Sequence, residues 1–341
     1  MKRRSFINGT TFAVSGLGLS TLSCDSPSGE KNEQPLTFYT TVDQEKVSFY
    51  AEVIDESIKV VHIADTHLHM DDERGIPFQE YSNRMAKAYN QTIHFQTREK
   101  TSPKESFEQT IAFAIKVKAD VITLVGDIFS FPSEIAIEWV KSKLDATGIP
   151  YIYVAGNHDW HYEGMEGSLE TLRNTWIENR LWPLYQGNNP LMAKYDIKGI
   201  SFLAIDNSTY EINNEQLDFF SEQVETGLPL VLLVHIPMYA PGKNITFGCG
   251  NPYWGAASDR NFQLERRPKW PESGHTQTTF DFYKKVFDAP NLIAIFAGHK
   301  HRNSIEVIRG KPQIVSDDNA SGGYLDIDFL PLDEEYKNLI L

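Results

Sequence analysis

The stretch Ala119–Asp127, ADVITLVGD, runs from a string of aliphatic residues into a turn glycine and then a carboxylate. The apolar part reads as a buried strand, and the polar group that follows it stands at the strand's carboxyl end. Four other stretches repeat the arrangement. VVHIAD (60–65) ends at Asp65 with His67 just beyond, and IPYIYVAGN (149–157) ends at Asn157 with His158 next. LPLVLLVH (228–235) ends at His235, and NLIAIFAGH (291–299) ends at His299 with His301 two residues on. Open α/β sheets bind ligands outside the carboxyl ends of their strands. Asp, Asn and His supply the oxygen and nitrogen donors that divalent metals take. The chain therefore reads as a metalloenzyme whose ligands line one edge of a buried sheet.

With 341 residues, 41% of them hydrophobic, the chain has material for a full core and is not a disordered sequence. Its formal net charge is -14, without a long Lys/Arg cluster, which argues against nucleic acid as the main partner.

The first 23 residues read as a signal peptide rather than as part of the fold. Lys2, Arg3 and Arg4 form a basic head, and the apolar stretch Phe12–Leu22 is far shorter than the ~20 residues a membrane-spanning helix needs. RRSFI resembles a twin-arginine export signal. Thr21-Leu22-Ser23-Cys24 resembles a lipoprotein cleavage site, with Leu one position nearer to the cysteine than usual. Cys24 is then the expected lipidation site, and the expected location is periplasmic or cell-envelope, with a lipid anchor to the membrane. Residues 24–35 are polar and read as a flexible tether. Cys249 stands alone in a Gly-rich loop, so no disulfide framework is expected.

From there the pattern is strand-like at 36–42 and 47–54, and then alternates between strand and helix. Helices are predicted at 106–118, 133–146, 168–179, 214–225 and 278–287, and hairpins at 192–206 and 304–329 around Gly199 and Gly310. This mixture favours a layered α/β sandwich. The catalytic domain is expected over 36–330, with inserted loops at 69–104 and 239–277 and a tail at 331–341. The second insert carries Tyr239, Tyr253, Trp254, Arg260, Arg266, Arg267 and Trp270, and reads as a binding wall or lid rather than as a surface ornament.

In order, the polar blocks are Asp65-Thr66-His67, Gly126-Asp127, Gly156-Asn157-His158-Asp159, His235 and Gly298-His299-Lys300-His301. This series resembles the DxH, GD, GNH(D/E), H and GHxH pattern of the calcineurin-like metallophosphoesterases. The resemblance implies a four-layer α-β-β-α sandwich of two mixed sheets flanked by helices. It also implies two divalent or mixed-valence metal ions such as Mn, Fe or Zn. One would take Asp65, His67, Asp127 and His301, and the other Asp127, Asn157, His235 and His299. Asp127 is the expected bridge because a carboxylate has an oxygen for each cation. A hydroxide held between the cations would attack the phosphorus of a small-molecule monoester or diester. His158 would act on the phosphoryl group, with Asp159 orienting it.

His69, His161, Tyr239, Arg260, Arg266 and Arg267 are candidate substrate contacts, while His62 reads as a core histidine. Ser130 occupies the position where purple acid phosphatases carry a tyrosine, so their coloured iron site is not expected. The motif set is similar to the branch holding cyclic-nucleotide phosphodiesterases and assorted bacterial phosphatases. A non-catalytic lipoprotein that binds a ligand on the same fold is the alternative of another class, and the loss of a bridging residue would favour it. A mononuclear zinc amidase is disfavoured by the absence of an HExxH motif. Oligomeric state is not encoded in these motifs.

Overall fold

In the computed structural model, which describes residues 36–88, 93–243, 248–255, 257–258 and 273–333, the five apolar runs become strands of two sheets, four of them inner and one, at 151–154, an edge strand. In chain order the strands are β1 (Phe38–Asp43), β2 (Lys46–Ala51), β3 (Ile58–Ile63), β4 (Val121–Val125), β5 (Tyr151–Val154), β6 (Met192–Ile197), β7 (Ile200–Ile205), β8 (Leu230–Leu233), β9 (Leu292–Ala297), β10 (Ser304–Ile308), β11 (Lys311–Val315) and β12 (Leu325–Pro331). The helices are α1 (Gln79–Ala88), α2 (Pro103–Lys116), α3 (Glu134–Thr147), α4 (Leu169–Trp176), α5 (Asn214–Glu225) and α6 (Gln277–Asp288). Two six-stranded sheets result, ordered β1-β2-β12-β3-β4-β5 and β10-β11-β9-β8-β7-β6. Within the first, β3, β4 and β5 are parallel; within the second, β7, β8, β9 and β11 are.

The sheets pack face to face. Val47, Phe49, Val60, Val121 and Val125 of the first meet Phe202, Val231, Leu233, Phe296 and Ile314 of the second. Phe49 stacks on Phe329 at 5.1 Å and meets the edge of Phe296 at 5.9 Å, so truncating it to alanine should cost ~3–5 kcal/mol. On the outer side of the first sheet, Phe107 and Ile111 of α2 with Ile137, Val140 and Leu144 of α3 cover Val61, Ile122 and Leu124. Phe220 and Val224 of α5 with Phe282 and Val286 of α6 cover Leu203, Leu232 and Ile295 of the second. This is the expected four-layer α-β-β-α sandwich. Strands covered on both faces favour apolar residues along their whole length, which is why β9 is an apolar run and β4 departs from one only at Thr123, whose hydroxyl meets buried His62.

Element boundaries moved where capping chemistry outweighed periodicity. α2 begins three residues before its expected start because the Ser102 side chain accepts from Glu105 N and Pro103 fits the first turn. α5 runs over its expected span, closed by a capping box between Asn213 and Gln216. The helix expected at 168–179 ends at Trp176 and widens into a π turn over Ile177–Leu181. The first insert contains α1.

The hairpin expected at 304–329 needs correction. β10 and β11 form one, turning on Arg309 and Gly310, both at positive φ. β12 leaves that sheet and lies in the other, parallel to β2 and antiparallel to β3. The crossover lets Ile327 and Phe329 fill the core between the sheets, a partnership that local alternation does not encode.

Candidate active site

Five parallel strands end at one edge of the sandwich and each hands on a polar block. β3 leads to Asp65 and His67, β4 to Asp127, β5 to Asn157 and His158, β8 to His235, and β9 to His299 and His301. Five of these residues hold a left-handed backbone: φ is 54° at Asp65, 50° at His67, 51° at Asp127, 70° at His299 and 51° at His301. Residues with a Cβ avoid that region, and strain of this kind concentrates where function demands it. Backbone bonds hold the turns in place, with Asp65 N donating to Gly126 O at 3.0 Å and His67 N to Asp127 O at 2.9 Å. The glycines admit the close approach this requires. A Cβ at Gly156 would collide with Asp127 N and Oδ1, and one at Gly298 would come within 2.6 Å of Asp65 Oδ2.

The side chains converge as two groups, Asp65 with His67 and His301, and Asp127 with His235 and His299, the donor atoms within each lying within 4.8 Å of one another. Asp127 Oδ2 lies 3.2 Å from His235 Nε2 and 3.9 Å from His67 Nε2, between the two groups. Its Oδ1 accepts from His158 N at 2.8 Å, which brings the Asn157-His158 turn against it. Asn157 Oδ1 is buried without a hydrogen-bond partner. Asp65 Oδ2 accepts from His299 N at 2.7 Å, leaving Oδ1 3.4 Å from His301 Nε2. His235 Nδ1 lies 2.9 Å from Val125 O, to which it donates, so Nε2 is the nitrogen turned to the site.

The electrostatics suit cations. His67 Nε2 and His301 Nε2 approach to 3.0 Å, and two nitrogen lone pairs so close repel unless a proton or a cation stands between them. Burial and the neighbouring His301 hold His67 well below the ordinary histidine range. Burial works against charge on His235, yet Asp127 and Asp65 raise its pKa to about 10. Burial likewise opposes charge on Asp127, but His235, His158 and His67 keep its carboxyl well below the usual range. Anionic and neutral donors of oxygen and nitrogen, with an orphaned amide oxygen among them, fit a pair of divalent ions.

Asp159 departs from its expected role. Its Oδ2 accepts from Asp127 N at 3.0 Å and Gly156 N at 2.7 Å, and its Oδ1 from Phe129 N at 2.9 Å. The carboxylate thus ties two loops together through their backbones instead of orienting the His158 ring. That ring stands edge-on to His67 at 5.0 Å. Ser130 Oγ donates to His67 O at 2.9 Å, so this position braces the first turn. His62 is buried beside Thr123 Oγ1 at 3.0 Å, and burial pushes its pKa down to about 3, as suits a neutral core histidine.

The remaining candidates are scattered. His69 Nδ1 lies 3.3 Å from His67 O, and His161 is buried beside Trp160. Tyr239 is fastened through its backbone, with N donating to Cys249 O and O accepting from Tyr283 Oη. Arg260, Arg266, Arg267 and Cys24 lie outside the described residues, as do the signal segment, the tether and most of the tail.

Two further strands, β7 and β11, run parallel to β8 and β9 and end at the same edge, where the sequence motifs do not mark their contribution. After β7, Asn207 Nδ2 donates to Ile236 O at 2.6 Å and its Oδ1 accepts from Ile236 N at 3.0 Å, clamping the backbone next to His235. Tyr210 Oη lies 2.5 Å from His299 Nε2. After β11, Asn319 N donates to Ala64 O and Ala320 N to Asp65 O, while Asn319 Oδ1 accepts from Thr66 Oγ1. For β7 the signal in the sequence is an apolar run followed by the polar cluster DNS at 206–208; β11, KPQIV, carries Lys311 and Gln313 and is marked only by the polar cluster SDDN at 316–319.

Among known proteins, the chain is 22% identical over 286 residues to a probable cyclic nucleotide phosphodiesterase of Psychrobacter sp. (strain PRwf-1), covering 75% of this chain and 74% of that one. A dimetal phosphatase from Danio rerio aligns with a TM-score of 0.49 and 11% identity, over 78% of this chain and 91% of its own. The purple acid phosphatase of yellow lupin aligns with a TM-score of 0.45 and 13% identity, over 82% of this chain and 48% of its own. Residues 58–303 match the family model of the calcineurin-like phosphoesterases, and the chain belongs to that family of metal-dependent hydrolases acting on phosphoester bonds.

Proposed function

We propose that the chain hydrolyses a small phosphate monoester or diester at a dinuclear centre. In this reading Asp65, His67, Asp127 and His301 hold one cation, and Asp127, Asn157, His235 and His299 hold the other. The observation that carries it is the position of Asp127 Oδ2 between His235 Nε2 and His67 Nε2, at 3.2 and 3.9 Å. When bound, such a cation pair supplies Lewis-acid polarisation of the phosphoryl group and a water acidic enough to attack near neutral pH. The protein's own part is to fix the donors and to manage the leaving group. His158, held by its backbone against Asp127 and by its ring against His67, stands at the cluster's margin, where an imidazolium gives a proton to a departing oxygen.

The family resemblance and the name of the Psychrobacter relative support cyclic nucleotides or other phosphodiesters as substrates alongside monoesters. The N-terminal sequence supports export and a lipid anchor at Cys24. The deciding experiment loads metal-stripped protein with Mn, Fe or Zn and compares an aryl phosphate monoester with a bis-aryl diester. Turnover of either, dependent on two cations per chain, is expected, and a strong preference assigns the subclass. Absence of turnover on both with two cations bound would remove the hydrolytic reading of this site.

A further inference from the structure

We propose that Tyr210 is a positioning residue for the cation site of Asp127, Asn157, His235 and His299, and that Trp254 of the second insert holds it there; this rests on the dinuclear reading above. A ligating imidazole binds through one ring nitrogen and is aimed by the partner of the other. His299 Nε2 is engaged by Tyr210 Oη at 2.5 Å, which leaves Nδ1 as the nitrogen turned to a cation. Nδ1 can ligate only when it carries no proton, so the productive tautomer has the hydrogen on Nε2, donated to the phenolic oxygen. A hydroxyl fixed at that point accepts this hydrogen when a cation holds Nδ1, and so aims the ring for binding.

The tyrosine is itself held for this purpose. It is 1% exposed and its φ is 64°, a left-handed backbone that a bulky residue adopts only under constraint. Tyr210 N donates to Asn207 O at 2.8 Å, and its carbonyl accepts from Cys249 Sγ at 3.3 Å. Its ring stacks on Trp254 at 5.2 Å with only 2° between the planes. Trp254 in turn stacks on His275 at 4.4 Å, and His275 Nδ1 lies 3.1 Å from Glu211 Oε1. Glu211 also accepts from Thr276 N at the start of α6. A continuous line of rings thus runs from the helix layer through the insert to a metal-ligand histidine. The insert acts on the centre by keeping the Tyr210 hydroxyl in place, in addition to any contact with substrate.

The test uses full-length protein stripped of metal and titrated with Mn2+ in a calorimeter. Wild type should take two cations, and the event weakened in His299→Gln identifies the site concerned. Tyr210→Phe, which removes only an oxygen, should weaken that same event by roughly 10–100-fold and leave the other unchanged. Trp254→Ala should weaken it by less. Nitrogen-15 spectra of the Zn2+-loaded protein should show a hydrogen-bonded His299 Nε2–H in wild type, and in Tyr210→Phe that proton should exchange faster with solvent for want of an acceptor. Unchanged binding and an unchanged His299 Nε2–H signal in Tyr210→Phe overturn the proposal, as does equal weakening of both events. Fewer than two cations in wild type would overturn the dinuclear reading itself, and this proposal with it.

Discussion

Asn207→Ala puts the construction of the His235 turn to a quantitative test. The Asn207 side chain is fully buried and makes two bonds to one residue, donating to Ile236 O and accepting from Ile236 N, immediately after His235. Ile236 is fully buried as well, so water has no ready route to the groups left behind. Each orphaned backbone group costs ~1–3 kcal/mol, and the pair about 2–6 kcal/mol, a large share of the ~5–15 kcal/mol that holds a typical domain together. Neither residue is charged, so the sign does not depend on pH or on bound cations. Urea unfolding of the metal-free protein is the assay. With a slope of ~3 kcal/mol/M, suited to a domain of this size, the midpoint should fall by about 0.7–2 M without change of slope. The metal-loaded variant should also show one weakened cation event, since His235 loses the brace of its neighbour. A midpoint shift under ~0.3 M at that slope, with both events intact, would refute the clamp.

Asp127→Ala should lose both cations by elemental analysis, whereas Asp65→Ala weakens mainly one; an Asp127→Ala protein retaining two cations per chain would dismiss the shared carboxylate. His158→Ala should keep fold and metal content while turnover falls roughly 10²–10⁴-fold; unchanged turnover on every substrate removes it from the mechanism. In the metal-free protein, His235 is raised from an ordinary value near 6.5 to about 10. A raised folded pKa gives stability that is complete below about 6.5 and is lost as pH climbs toward about 10, so unfolding at pH 9.5 should need less denaturant than at pH 6.5, and the reverse order would contradict the Asp127–His235 pairing. Replacing Arg3 and Arg4 by Lys should block export, and Cys24→Ala should release a soluble extracytoplasmic form; fractionation that finds intact, active precursor in the cytosol rejects the export reading.

What could be read from the sequence was what depends on nearest neighbours along the chain. Strand-then-ligand order survives in a string of letters because each run carries its own apolar signal and its own polar terminus, as at Val125-Gly126-Asp127. Asp159 shows the limit: a carboxylate beside His158 suggests a side-chain partner, yet its three donors are backbone groups brought to it by two separate loops. Asn207 and Tyr210 are not marked by the motifs, because β6 and β7 read as a self-contained hairpin. Only the parallel pairing of β7 with β8 shows that β7 ends at the same edge as the metal ligands. The crossover of β12 was hidden for the same reason, since its partners lie hundreds of residues away and no local pattern names them.

That crossover governs the order in which the molecule can be completed during synthesis. β12 sits between β2 and β3, and Asp326 and Asp328 reach back across it to Lys46, 280 and 282 residues away in sequence. Until residues 325–331 have left the ribosome, β2 and β3 each present an open edge and the strand that carries Asp65 lacks one neighbour. A nascent chain shorter than this cannot finish the first sheet, whatever its helices have done. Such long-range pairing slows folding and leaves sticky edges exposed meanwhile. The gap between β2 and β3 is therefore where a chaperone that shields unpaired strand edges would have to act, and chains cut short before Leu325 should aggregate rather than fold to a weakened enzyme.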